Sequence, residues 1–285
     1  MATSTVTAPV AIHDGLIKAS LNYHDRKAGL VDVLDFTKPG TEKTFEEYQN
    51  MVEEVPTAFH DARGKEDQYT LHKNGFQYVK DPVAGLQDAN SEDEIRDILL
   101  PATEDLVKRV TGAHKTIIFT HRIRSLAEDP NKRADNKAPA HSVHTDFTPA
   151  GALNQLKMVI RDPAERAALE NNRILAINVW RPLKAIKRDP LAMLNWESVQ
   201  PGDIIPSKMI LNEHFWSELG KVKYSPQHEW VYLEGQTPEE PVIFKQFDSK
   251  AEEGMTLPHS AFVDPRWVNE EARQSIEIKM FAFVE

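Results

Sequence analysis

LPHSAFVDPRWVNEEARQSIEIKMFAFV, residues 257–284, is the stretch on which the fold turns. It closes on an apolar, strand-length run from Ser275 to Val284, and the polar residues before that run read as a turn. Moving toward the N-terminus, the same alternation of short apolar runs and turn signals recurs at Ile174–Trp180, Asp203–Ile205, Trp230–Leu233 and Val242–Phe247. A helix over 151–170 is the main interruption, with Pro163 starting its second half. Many short strands at irregular spacing predict a β-sandwich or barrel.

The first half of the chain reads differently. Ser91 with Glu94 has capping-box spacing, and Ile95, Ile98 and Leu99 form an apolar stripe behind it. Pro101, lacking an N–H, is expected to break or restart that helix, and Gly112 to end its continuation from Thr103 to Val110. Thr116–Phe119 reads as a strand running on toward His121 and Arg122. Residues 126–140 read as a charged surface loop with the makings of a lid. Gly15–Phe36 has apolar clusters without a clean period, and Lys38–Lys80 is polar and turn-rich, with little to fix it. The organisation is a flexible leader, 1–14, and one domain, 15–285, whose helical and irregular first half packs on a β-rich core from about 115 to 285. The class is α+β, β-rich.

Composition narrows the function. The chain has 285 residues, 40% apolar and 27% charged, which is ordinary globular material with ample core. Its 34 basic and 44 acidic residues leave a net charge of −10, so neither a nucleic acid nor an anionic membrane surface is an expected partner. Without cysteine there are no disulfides, thiolate metal sites or thiol nucleophiles. Met1–Asp14 lacks the basic and apolar regions of a signal peptide, and no stretch approaches the roughly 20 apolar residues of a membrane helix. A cytoplasmic location is the expectation. No Gly-x-Ser-x-Gly elbow and no Gly-rich phosphate loop is present.

Eleven histidines are the remaining soft ligands. His144-Thr145-Asp146 is a His-x-Asp triplet whose ends share one side of a strand. With 11 histidines and 19 aspartates in 285 residues, chance supplies about 0.7 such triplets, so alone it decides nothing. Downstream context gives it weight. His259 follows after about 110 residues of strands, and Arg273-Gln274-Ser275, the only Arg-x-Ser in the chain, lies fourteen residues later. Two histidines and one carboxylate make the facial triad that holds non-haem Fe(II) with positions left open. Arg273 and Ser275 would offer a guanidinium fork and a hydroxyl to a carboxylate, which suits a dicarboxylate co-substrate.

In this order the parts resemble those of the Fe(II)/2-oxoglutarate-dependent dioxygenases. More narrowly, the chain resembles the fungal hydroxylase/desaturase family that includes gibberellin-desaturase-like proteins and relatives of cephamycin methoxylation proteins. The narrower likeness rests on Gly75-Phe76, Thr111-Gly112-Ala113, His144-Thr145-Asp146 with Thr148-Pro149, and Asn178-Val179-Trp180-Arg181-Pro182. It continues through Pro190-Leu191-Ala192, His228-Glu229-Trp230, Phe244 to Ser249, His259-Ser260-Ala261-Phe262 and Arg273 to Glu277. Phe147, Leu153 and Lys279 sit where the pattern varies, and are expected to stand clear of the metal ligands.

The resemblance implies a double-stranded β-helix, a jelly-roll or cupin-like core with flanking helices. It implies Fe(II) bound by His144, Asp146 and His259, 2-oxoglutarate held by Arg273 and Ser275, O2 as oxidant, and hydroxylation or desaturation of a small molecule in fungal secondary metabolism. His228 is the rival to His259; the co-substrate arginine should follow the distal ligand on the next strand, which favours His259. Arg273 has a rival role too, pairing with Glu270 and Glu271. Asn178, Trp180, Tyr232, Lys245 and His228 are the candidates to line the substrate pocket, with alternation aiming Asn178 and Trp180 one way. Two other readings stay open: a redox-neutral isomerase or oxidative cyclase on this scaffold, and a non-catalytic barrel serving as a partner subunit. The apolar and acidic mix of 205–220 would suit a homo-oligomer interface.

Overall fold

A computed structural model describes residues 16–25, 27–28, 33–125, 140–169 and 171–285. The leader 1–14 and the lid reading of 126–140, apart from Ala140, lie outside the described residues. In chain order the elements begin β1 (Leu16–His24), β2 (Val33–Asp35), α1 (Thr41–Gln49), β3 (Val52–Asp61), β4 (Phe76–Tyr78), α2 (Glu92–Thr111) and β5 (Lys115–Ser125). Next come β6 (His144–Thr145), α3 (Pro149–Val159), α4 (Pro163–Leu169), β7 (Arg173–Pro182), β8 (Leu191–Leu194) and β9 (Ile204–Asn212). The last are β10 (Phe215–Val222), β11 (Trp230–Tyr232), β12 (Val242–Asp248), β13 (His259–Ala261) and β14 (Gln274–Val284).

The strands form two sheets. The smaller runs β4-β12-β7-β14-β5 and is antiparallel throughout. The larger runs β1-β3-β11-β8-β13-β6-β10-β9-β2. It curls far enough for β1 to bridge back to the segments beside β6 and β10, at Asn22–Ser142 and His24–Lys223. A core drawn from both sheets, including Phe76, Trp180, Met193, Val231, Phe244 and Leu257, fills the space between them. This is a double-stranded β-helix with flanking helices.

β7 and β14 lie side by side in the middle of the smaller sheet and are buried almost end to end. Each strand turns alternate residues to opposite faces. Ile177, Val179, Ile276, Ile278 and Met280 pack outward against Leu99, Leu106 and Val107 of α2. The intervening positions, Asn178, Trp180, Ser275, Glu277 and Lys279, are left for the interior face. Because both faces are covered, these strands read as nearly continuous apolar runs.

Two features depart from the sequence reading. Pro101 lies inside one unbroken helix, capped by Ser91 and ended by Gly112 in the left-handed conformation at φ 74°. The hydrogen bond that Pro101 cannot make would have gone to the carbonyl of Asp97, and both residues are exposed, so that carbonyl is open to solvent. Residues 38–80, read as unfixed, contain α1, β3 and β4. β3 is held between β1 and the parallel β11, partners too distant in sequence to show in its composition. Among the described residues no helix is long and apolar enough to cross a membrane.

Candidate metal centre

β6 has only two residues, and long-range pairing fixes it. His144 stands opposite His259 of β13 on one side and Lys221 of β10 on the other. Side chains directly opposite on neighbouring strands share a face, and the two imidazoles lie 4.5 Å apart at an interplanar angle of 51°. The chain then turns at Asp146, whose N–H donates to Oε1 of Gln246 at 2.7 Å. Gln246 is the bulged residue of β12, and its amide also donates to the Leu257 carbonyl at 2.8 Å. One side chain thus ties the Asp146 turn to the segment leading into His259. The ligand atoms of His144, Asp146 and His259 all lie within 4.8 Å of one another.

Their hydrogen bonds fit a metal. Nδ1 of His144 faces the Ser142 carbonyl at 2.8 Å, and Nδ1 of His259 faces the Leu257 carbonyl at 3.2 Å. A carbonyl only accepts, so each ring keeps a proton on Nδ1 and leaves Nε2 as its ligand atom. Burial, reinforced by His259, pushes the His144 pKa down to about 4, so its ring is neutral near pH 7. Burial alone would raise the Asp146 carboxyl, but the Lys279 ammonium and the two histidines together outweigh it and hold the group well below the usual carboxylate range. Lys279 Nζ lies 2.7 Å from Asp146 Oδ2, and the Asn178 amide donates to that same oxygen at 2.5 Å. Oδ1 is the oxygen on the His144 side, 3.9 Å from Nε2. Two imidazoles and one carboxylate, each braced from behind, are the donors that a divalent first-row metal takes.

A cleft joins His144 and His259 of this cluster to the arginine. His144, His259, Trp180, Glu277, Arg124 and Arg273 are among the residues that line it. Arg273 is 4% exposed, its guanidinium lies 5.3 Å from the Trp180 ring, and Nη1 donates to the Asp189 carbonyl at 2.6 Å. Burial brings its pKa down to about 10, so it stays a cation at neutral pH. Arg273 Nε and Ser275 Oγ are both buried without a hydrogen-bond partner among the described residues. The rival salt bridge does not form: Glu270 pairs with Lys187, and Glu271 with Lys184.

The five pocket candidates divide. Trp180 lines the cleft, while Asn178 reaches Asp146 and also Glu277, at 3.1 Å. Tyr232 does not reach the cleft, because alternation along β11 puts Val231 between the sheets and turns Trp230 and Tyr232 to the opposite core. His228 is held between the Tyr23 hydroxyl at 3.1 Å and Asp203 at 2.9 Å. Lys245 lies between Phe244, which packs 4.9 Å from the His259 ring, and Gln246, so its side chain takes the other face. There it meets Asp248 at 2.7 Å, and Arg173 joins the same carboxylate.

Burial would raise the Asp248 pKa, but the hydrogen bonds from Arg173 and Lys245 bring it down to about 2. A carboxyl depressed in the folded state adds stability that is full above its unfolded pKa and lost as pH falls through the folded value. Asp248 should therefore contribute about 2 kcal/mol above pH 4, fading toward pH 2. Urea unfolding of Asp248→Asn should show a shallower loss of stability across that window than the unaltered protein. Parallel curves would remove this role.

Lys279 is a correction. It was expected to stand clear of the ligands, yet it makes the closest ion pair that Asp146 has. The signal was in the sequence: 273, 275, 277 and 279 share one face of a strand, so whatever Arg273 and Ser275 approach, Glu277 and Lys279 approach too. Phe147 packs near Phe119, and Leu153 is exposed on α3.

A family profile described as an oxidoreductase/YMDC permease-like domain matches residues 21–283. The hydroxylase/desaturase efuI of Hormonema carpetanum is 32% identical over 96% of this chain and 97% of its own length. The Fe(II)/2-oxoglutarate-dependent dioxygenase nvfI of Aspergillus novofumigatus is 30% identical, over 79% of this chain and 82% of its own. A solved structure of the iron and alpha-ketoglutarate-dependent endoperoxidase NvfI superposes with a TM-score of 0.78 at 26% identity, covering 96% of this chain and 99% of that one. With the His–Asp–His cluster, the buried arginine and the shared fold, the chain belongs to the family of fungal Fe(II)/2-oxoglutarate-dependent hydroxylases and desaturases.

Proposed function

We propose that His144, Asp146 and His259 hold Fe(II), and that Arg273 with Ser275 binds the distal carboxylate of 2-oxoglutarate. The protein then hydroxylates or desaturates a small organic molecule of fungal secondary metabolism. What carries this reading is one cleft lined by two of the three clustered residues, His144 and His259, and by a buried guanidinium whose Nε has no hydrogen-bond partner among the described residues. Iron, 2-oxoglutarate and O2 supply the oxidation of a C–H bond when bound; the chain supplies placement. Lys279 and Asn178 keep Asp146 Oδ2 occupied, which leaves Oδ1 for the metal. Gln246 fixes both ligand-bearing turns, and Trp180 walls the cleft beside the guanidinium. Asn178 acts through Asp146, and Tyr232, Lys245 and His228 take no part in substrate contact.

The same proposal places residues 15–285 in one cytoplasmic domain that self-associates through the 205–220 strip, where Leu211 is exposed and β2, at the edge beyond β9, exposes Val33. Anaerobic titration of the purified protein with Fe(II) should give a weak visible charge-transfer band only when 2-oxoglutarate is also present. Iron binding without that band would remove the co-substrate half of the reading, and no iron binding would remove all of it. Light scattering on the same preparation should give a mass above the 32.3 kDa of one chain; a value at 32.3 kDa would exclude self-association. Succinate released in step with substrate loss separates this reading from a redox-neutral isomerase.

A further inference from the structure

The residue that holds the buried arginine is itself in an unfavourable conformation. Asp189 has φ 53°, a left-handed backbone that side chains with a Cβ seldom adopt. The next residue is Pro190, whose ring crowds the preceding residue and drives it toward an extended conformation. Glycine would relieve the first conflict, yet an aspartate stands there. It is 4% exposed, and its carboxylate is engaged on both oxygens: Oδ1 lies 3.2 Å from His141 Nε2, and Oδ2 lies 3.3 Å from Arg188 Nε. Those two contacts anchor the side chain and hold the backbone in a shape it would otherwise leave.

That shape aims the Asp189 carbonyl at Nη1 of Arg273. A guanidinium offers a carboxylate two parallel donors along one edge. With Nη1 taken by the carbonyl, the edge formed by Nε and Nη2 remains, and no hydrogen bond among the described residues engages either atom. The Trp180 face fixes the plane of the group.

We infer that Asp189 is a positioning residue for the co-substrate: His141 and Arg188 lock its left-handed backbone so that its carbonyl turns the Nε–Nη2 edge of Arg273 toward the incoming carboxylate. The inference rests on the Arg273 reading given above. Asp189 touches neither iron nor 2-oxoglutarate in this arrangement and acts only through the guanidinium.

Three substitutions separate its parts. Asp189→Ala keeps the backbone conflict and removes the anchors, so the carbonyl should swing away. Asp189→Asn tolerates the left-handed conformation and can still bond to His141. Asp189→Gly adopts that conformation without side-chain strain and keeps the fold available if alanine does not. The readout is 2-oxoglutarate binding to Mn(II)-loaded protein by calorimetry, alongside KM for 2-oxoglutarate and kcat. Asp189→Ala should weaken binding about tenfold, the loss of one charge-assisted bond's worth of orientation, with kcat within about twofold. Asp189→Asn should restore binding to near the original value, and Asp189→Gly should fall between. Equal binding across all three variants and the unaltered protein would overturn the inference. So would equal losses in all three accompanied by weaker Mn(II) binding, which marks a merely structural residue. If Arg273→Ala leaves 2-oxoglutarate binding intact, the underlying co-substrate reading fails instead, and the two failures are distinct.

Discussion

Asp146→Ala is expected to abolish turnover and to weaken Fe(II) binding by more than about 100-fold, beyond the 10- to 100-fold typical of losing an outer partner. Two consequences are bound together at this position. The carboxylate is one of three groups placed to hold a metal, and it is also the partner of Lys279, whose side chain is only 17% exposed. Removing it leaves that ammonium with Glu277 at 3.5 Å as its remaining carboxylate. Breaking a buried pair from one side costs more than the pair contributes, so about 2 kcal/mol of stability should go as well. Adding Lys279→Met to Asp146→Ala should recover much of that stability and none of the iron affinity. Denaturant unfolding and anaerobic iron titration read the two effects separately. An Asp146→Ala protein that kept a tenth of its activity would end the assignment of Asp146 as a ligand. His144→Ala should match it in lost turnover without the same stability cost, because no buried cation depends on His144.

Arg273→Ala is expected to raise the 2-oxoglutarate requirement about 100-fold, which corresponds to about 2.7 kcal/mol and suits a bidentate charge-assisted contact. Iron affinity should stay within a few fold, since the guanidinium makes no hydrogen bond to the ligand cluster. Arg273→Lys should recover little. An ammonium is a point charge without the planar fork, and it would exchange the Asp189 carbonyl bond for a different geometry. Titration of each variant with 2-oxoglutarate at fixed Fe(II) is the measurement. A fall in thermal stability with no change in 2-oxoglutarate affinity would mean that the guanidinium only props the Asp189 loop.

Strands buried on both faces were legible, because their apolar runs need no partner to be recognised; β7, β12 and β14 all fall where those runs lie. The helix capped at Ser91 was legible from side-chain chemistry alone. What escaped were elements held by distant pairing. β6 is two residues long and β13 three, so neither has enough sequence to show a period, and each is held by distant strands, β6 by β10 and β13, and β13 by β8 and β6. The three clustered residues, His144, Asp146 and His259, were singled out through residue type and order. Their bracing was not, because Gln246 and Lys279 come from strands that approach the site only once both sheets have formed. Tyr232 and Lys245 were offered as pocket residues because strand membership was visible while facing was not. Facing follows from register, and register is a property of two strands.

Strand order in the smaller sheet also bears on the sequence of events during synthesis. β14 lies between β7 and β5, and β5 pairs with no other strand of that sheet. Lys115–Ser125 leaves the ribosome some 150 residues before its partner strand β14. Until residues 274–284 follow, β5 has no ladder and β7 has one open edge, the exposed condition in which nascent β-proteins pair wrongly. Arg273, Ser275, Glu277 and Lys279 arrive with that same final strand. The molecule therefore gains its closed sheet and the basic side of its active cleft in one late step, and a chain that has not completed that step has neither.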